Sequence, residues 1–274
     1  MKTCTRLCVL DPSTARGEMV SFSLISDVHA EMKEPLLPPV PAPEPSAETL
    51  ILAGDIGRAS DGSLSNYFRR CAEAGWDDIL YVAGNHDVWG LEGDLAARYE
   101  TLRSVCADAG IRMLQQDVVE TKRSKARVAG CTLWSDFGEA IMHVSSMNDY
   151  NPFVGGLEPK DTLAQHYSDR KWLGSVVHDV DLVVTHHCPF REGGHGDDLD
   201  PFFRTDMSSV WKDADLWWAY GHTHEQVVCS KGATSFITNA VGYADEAVHK
   251  TWGPTKFSFD RTVHDGGKVI EKTV

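Results

Sequence analysis

Three things are scarce in this 274-residue chain. No apolar run approaches the ~18 residues that a membrane-spanning helix needs. The one apolar patch near the start, Leu7-Cys8-Val9-Leu10, is too short for a secretory hydrophobic region. The seven cysteines (Cys4, Cys8, Cys71, Cys106, Cys131, Cys188, Cys229) are odd in number and scattered, with no Cys-x-x-Cys pair. That pattern reads as reduced thiols in a cytoplasmic protein. Positive charge is the third shortage: 26 Lys and Arg against 40 Asp and Glu leave a formal net charge of −14. A long nucleic acid held on a broad basic surface is therefore disfavoured. An anionic small molecule is not, because a pocket of divalent cations is locally positive even on an acidic protein.

What the chain does have is a series of short apolar runs, each closing on polar residues. Val20 to Ser26 ends at Asp27-Val28-His29. Thr49 to Ala53 ends at Gly54-Asp55-Ile56-Gly57, and Ile79 to Ala83 at Gly84-Asn85-His86-Asp87. Asp181 to Thr185 ends at His186-His187-Cys188-Pro189, and Leu216 to Tyr220 at Gly221-His222-Thr223-His224. Runs of this length and composition read as buried strands. Asp27, Asp55 and Asn85 lie 28 and 30 residues apart, a spacing that suits parallel strands with aligned carboxyl ends. Open α/β sheets bind ligands at such ends.

Between the strands, Leu64, Phe68, Cys71 and Ala72, and then Leu95, Tyr99, Leu102, Cys106 and Ala109, fall at helical spacing; Asp161 to Val177 reads as a third helix. Asp117 to Glu120 and Ala126 to Trp134 read as a hairpin, Met142 to Gly156 as loop. Ser235 to Thr238, Lys256 to Asp260 and Lys268 to Ile270 read as later strands. Six of the twelve prolines lie in residues 33–48, which predicts an irregular surface loop within one domain. The acidic run Asp197 to Asp200 reads as a solvated face or a helix start. Phe202, Phe203, Trp217 and Trp218 read as core. The organisation expected is an extension over residues 1–18 and one domain over 19–274.

Each polar motif alone has a bland reading as a turn with a satisfied histidine. Together they carry a chemistry. Residues i and i+2 of an extended chain face the same side, so Asp27 and His29 can grip one ion. Asn85 offers a neutral amide oxygen, and His86 can bind metal or move a proton near neutral pH.

These five motifs, in this order, resemble the calcineurin-like metallophosphoesterase superfamily, from about Val20 to Tyr243. The central part looks most like its compact bacterial and phage branch. The resemblance implies a four-layer α/β/β/α sandwich of two mixed sheets, with a dinuclear metal site at the strand carboxyl ends. It implies that Asp27, His29 and His224 bind one metal, that Asn85, His186 and His222 bind the other, and that Asp55 bridges them. Carboxylate, amide and imidazole donors suit two divalent ions of Mn, Fe or Zn. The implied reaction is hydrolysis of a phosphate mono- or diester by a metal-bridging hydroxide, with His86 as proton donor. The substrate would be a phosphorylated small molecule, nucleotide or phosphoprotein. Many relatives have a second aspartate three residues after the bridging one, a carboxylate that would orient His86. Here that position is Arg58, read as exposed, and Asp87, the nearest carboxylate in sequence, stands beside His86 as a candidate catalytic residue. The alternatives are a non-catalytic scaffold on the same fold, or a nucleotide phosphodiesterase or nuclease.

Overall fold

The computed structural model describes residues 19–32, 42, 45–194, 196, 198–243, 246, 255–260 and 268–271. The expected extension over residues 1–18 and most of the proline-rich segment lie outside these. Among the described residues the chain forms two six-stranded mixed sheets. The first holds β1 (Met19–Ile25), β2 (Thr49–Leu52), β3 (Asp78–Tyr81) and β4 (Arg112–Met113), all parallel. The second builds on β5 (Asp117–Glu120), β6 (Arg127–Cys131), β7 (Leu182–Thr185), β8 (Trp217–Tyr220), β9 (Gln226–Lys231) and β10 (Thr234–Asn239). Its strands β6, β7, β8 and β10 are parallel, with β5 and β9 antiparallel at the edges. Strands β11 (Thr255–Asp260) and β12 (Lys268–Glu271) close the first sheet antiparallel beside β1.

Strand alternation builds the layers. Val20, Phe22 and Leu24 of β1, Ile51 of β2 and Leu80 of β3 face Val128 of β6, Leu182 and Val184 of β7, Trp217 of β8 and Ile237 of β10 in one buried core. The alternate residues Leu50, Leu52, Ile79 and Tyr81 face outward against helices α1 (Ser63–Glu73) and α2 (Leu95–Asp108). Val183, Trp218 and Phe236 face the other way, against α3 (Pro159–Val176) and α5 (Ser208–Trp211). The result is the four-layer α/β/β/α sandwich expected from the resemblance. Trp217 and Trp218 are core, as read from the sequence.

The segment read as loop is not irregular. Residues Gly138–Ser146 and Asn148–Tyr150 form 3-10 turns. With α4 (Asp200–Phe203) they make a small apolar cluster of Phe137, Ala140 and Phe202, which caps the carboxyl ends of the second sheet. Asp200 opens α4, so the acidic run ends in a helix start. The five cysteines among the described residues are free, four of them buried. No helix among the described residues is long and apolar enough to cross a membrane.

Candidate metal centre

The two sheets are stitched together at their carboxyl ends. Ser26 donates its N–H to Asn239 O (3.2 Å), and Val241 donates to Ser26 O (3.0 Å). The Nδ1 of His186, just past β7, lies 2.8 Å from Ala53 O at the end of β2. This seam brings all the motif residues into one place.

Asp27, His29 and His224 present ligand atoms within 4.8 Å of one another, and so do Asp55, His186 and His222. His29 Nε2 lies 3.1 Å from His224 Nε2, and His186 Nε2 lies 3.1 Å from His222 Nδ1 and 3.2 Å from Asn85 Oδ1. Asp55 stands between the groups, with Oδ2 3.8 Å from His29 Nε2 and Oδ1 3.5 Å from His186 Nε2. A third grouping joins His29, Asp55 and His86. The backbone pays for this convergence: Asp27, His29, Asp55, His222 and His224 have φ of 52°, 47°, 52°, 65° and 52°. Each such residue costs roughly 1–3 kcal/mol, and strain of this kind gathers at functional sites. Gly84 is needed for space rather than for its φ. A Cβ there would lie 2.1 Å from Asp55 Oδ1.

Charge at the centre is set by Asp55. Burial works to raise its carboxyl, but the charges of His186, His86 and His29 hold it well below the ordinary value. Burial works to lower His186, but Asp55 pushes it up to about 9. Burial, with His187 and His186 nearby, holds His222 well below its ordinary value, as a neutral imidazole ligand must be. The donor set, its convergence and this appetite for positive charge fit the divalent ions that the resemblance implies.

His86 Nδ1 lies 2.9 Å from Glu31 Oε1, and His29 Nδ1 lies 3.3 Å from the same oxygen. Burial works to raise the Glu31 carboxyl, but hydrogen bonds to His29 and His86 and their charge pull it down to about 2. Burial works to lower His86, but Asp55 and then Glu31 raise it. A carboxylate therefore does face His86, supplied two residues past His29 rather than three past Asp55. Nothing in the spacing distinguishes Glu31 from a solvated acid.

Asp87, named beside His86 as a candidate catalytic residue, turns the other way. Its carboxylate accepts the N–H groups of Asp55, Ile56, Gly57 and Gly84 and the hydroxyl of Tyr81. It ties the loop after β2 to the loop after β3. Arg58, read as exposed, is half-buried, with its guanidinium 5.1 Å from the centre of the Trp89 ring. Trp89 also stacks on His86, with ring centroids 3.6 Å apart. His187 lies beside the cluster, its ring 4.1 Å from that of His222. Burial and the His186 charge keep His187 well below its ordinary pKa.

Above the centre is a pocket of about 420 Å³, lined by Asp55, Asn85, His222 and His224 and by Trp89, Met147, Leu199, Phe203, Arg204 and Tyr243 among others. Phe202 packs into the apolar cluster with Phe137 and Ala140, but Phe203, read as core, walls this pocket and stacks on His222 at 4.8 Å. The sequence marks Tyr243 only as the end of the family resemblance and gives no sign of Asp149. Asp149 accepts from Asn85 Nδ2 at 2.9 Å, and the Tyr243 hydroxyl lies 3.4 Å from His86 Nε2.

Comparison with known proteins places the arrangement. An uncharacterized protein of Acanthamoeba polyphaga mimivirus is 27% identical over 224 residues, 72% of this chain and 79% of that one. The structure of a phosphopantetheinyl hydrolase from Mycobacterium tuberculosis superposes with a TM-score of 0.65 at 19% identity, over 86% of this chain and 95% of that one, a likeness of fold. The model of the calcineurin-like phosphoesterases matches residues 21–226. That span opens inside β1, ends at the first residue of β9 and includes every candidate ligand named above. The chain belongs to the calcineurin-like phosphoesterase family, whose members are metal-dependent phosphoester hydrolases.

Proposed function

We propose that the protein hydrolyses a phosphate mono- or diester at a centre of two divalent ions, with Mn, Fe and Zn all compatible with its donors. The observation that carries this reading is the position of Asp55, within reach of His29 on one side and His186 on the other. In this reading Asp27, His29 and His224 hold one ion, Asn85, His186 and His222 hold the other, and Asp55 reaches both. When bound, the ions supply Lewis acidity toward phosphate oxygens and lower the pKa of water towards ~7.

The remaining work belongs to the chain. His86 protonates the leaving alkoxide from Nε2, the nitrogen facing the Tyr243 hydroxyl. Its other nitrogen is held by Glu31, and its ring is fixed by Trp89. That support keeps the imidazole aimed, and the Glu31 charge favours the protonated form that a donor requires. Asp87 does no proton chemistry; it holds the backbone that carries Asp55 and Asn85. Met147, Leu199 and Phe203 receive the organic part of the ester, and a pocket of about 420 Å³ suits a phosphorylated small molecule or a nucleotide.

The test is metal analysis of the purified protein, with rates on generic aryl phosphate mono- and diesters in Mn²⁺, Zn²⁺ and Mg²⁺. Two ions per chain and turnover that disappears on chelation are expected. A protein that binds no ion, or that hydrolyses neither ester with any of them, would overturn the reading.

A further inference from the structure

We infer that Asp149 is a positioning residue: its carboxylate fixes which end of the Asn85 amide faces the metal centre, and ties that amide to the ring beneath His86. The inference rests on the two-ion reading above.

An asparagine side chain has one end that accepts and one that donates, and only the oxygen can ligate a cation. The choice is made from outside the Asn85 loop. Asn85 Nδ2 donates to Asp149 Oδ1 at 2.9 Å, which leaves Asn85 Oδ1 on the side of His186 Nε2, 3.2 Å away. That Asp149 oxygen accepts from Trp89 as well as from Asn85, so a flipped amide would set oxygen against oxygen. The same Oδ1 accepts a second bond, from Trp89 Nε1 at 2.9 Å. Trp89 in turn stacks on the His86 ring at 3.6 Å and 26°. One oxygen thus orients a ligand of one ion and the floor of the proton donor.

Asp149 is built to do this. It is 5% exposed and sits in the second 3-10 turn, on the cap rather than on the sheet that bears Asn85. Its carbonyl accepts from Leu157 N–H at 2.9 Å. Gly155 presses directly on its backbone: a Cβ there would lie 2.3 Å from Asp149 O and 2.5 Å from its Cα. Buried Arg98, from α2, clamps the turn by donating to Gly155 O at 2.6 Å and Gly156 O at 3.0 Å, and reaches Val88 O at 3.2 Å. A rigid support of this kind fixes a ligand better than a free loop does.

The experiment titrates Mn²⁺ alone into the metal-free full-length chain by calorimetry. Wild type should take up two ions. Asp149→Ala should bind one ion normally and the other ~10–100-fold more weakly, the usual effect of losing the partner that orients a ligand. Asp149→Asn should stay within about 3-fold of wild type, because its amide oxygen can accept from both Asn85 and Trp89. Unchanged binding of both ions by Asp149→Ala would overturn the inference. So would an Asp149→Asn chain as weak as Asp149→Ala, which would make charge rather than hydrogen bonding the cause. Failure of the two-ion reading would show separately, as fewer than two ions in wild type, and would take this inference with it. Thermal unfolding of each variant detects a folding defect, and one measurement needs no variant to bind metal. In wild type, the Asn85 side-chain amide protons, identified by their loss in Asn85→Asp, should exchange slowly with solvent; fast exchange would also overturn the assignment.

Discussion

The two sheets bring different chemistry to their shared edge. The first sheet supplies every carboxylate among the proposed ligands, Asp27 and Asp55, and the one amide, Asn85, with His29 as its single imidazole. The second sheet supplies only imidazoles: His186 past β7, and His222 and His224 past β8. Carboxylate supports, by contrast, serve both halves: Asp149 on the cap holds Asn85, and Glu246 Oε2 lies 2.6 Å from His224 Nδ1. Glu31 and Asp87 lie on the first-sheet loops and hold an imidazole and a backbone turn. On the second-sheet side, burial and neighbouring histidines hold His222 and His187 well below the ordinary imidazole pKa. Neither half could balance a pair of divalent ions alone. The first would be an unpaired cluster of acid, the second a cluster of imidazoles with no carboxylate ligand. The centre exists only at the seam, so it reports on the docking of the two sheets as much as on any residue.

The largest break in this comparison comes from the residue both halves use. Asp55→Asn should abolish turnover and lower metal content at both sites, measured by elemental analysis beside the rate. A variant that keeps two ions and normal activity would remove Asp55 from its shared role. Next come the neighbours on the imidazole side. His186→Ala should lose one ion and nearly all activity, while His187→Ala should keep both ions and lose activity mildly. The reverse pattern in metal stoichiometry would exchange the two residues.

His86→Ala tests the first-sheet side without removing a proposed ligand. It should keep the ions and slow the chemical step by ~10²–10⁴-fold. The loss should shrink for esters with a good leaving group, and equal losses for poor and good leaving groups would give His86 another task. The smallest effect is expected from Glu31→Gln, a fraction of the His86 loss with the same dependence on leaving group. Glu31 also carries a pH signature in the metal-free chain. Its folded pKa of about 2 lies below the ordinary 4.5, so its stabilisation is complete above about 4.5 and is lost as pH falls towards about 2. Acid unfolding of Glu31→Gln, followed by circular dichroism, should therefore be less steep than wild type across that window.

The strand ends were readable because each proposed ligand follows an apolar run directly, and burial on both faces leaves such runs little else to be. The carboxylate-bearing supports were not. Glu31 meets His86, and Asp149 meets Asn85, only by tertiary approach, across 55 and 64 residues of sequence. Both look like solvated acids in the chain. Gly84 was read as a turn residue, yet it is needed because a side chain would strike Asp55. The edge strand β9 escaped notice because Val227 and Val228 are both largely exposed, so no alternation marks it. The cap over 138–150 has 3-10 geometry, which leaves no helical period to find. Strand β6 was read too long: it ends at Cys131, and Leu133 and Phe137 turn through φ of 53° and 56°.

The most direct test of the seam is a crystal of the Mn²⁺-soaked protein with anomalous scattering measured for the metal. The account predicts two peaks about 3.5–4 Å apart, one among Asp27, His29 and His224, the other among Asn85, His186 and His222, with Asp55 touching both. A single peak, or two peaks confined to residues of one sheet, would contradict it.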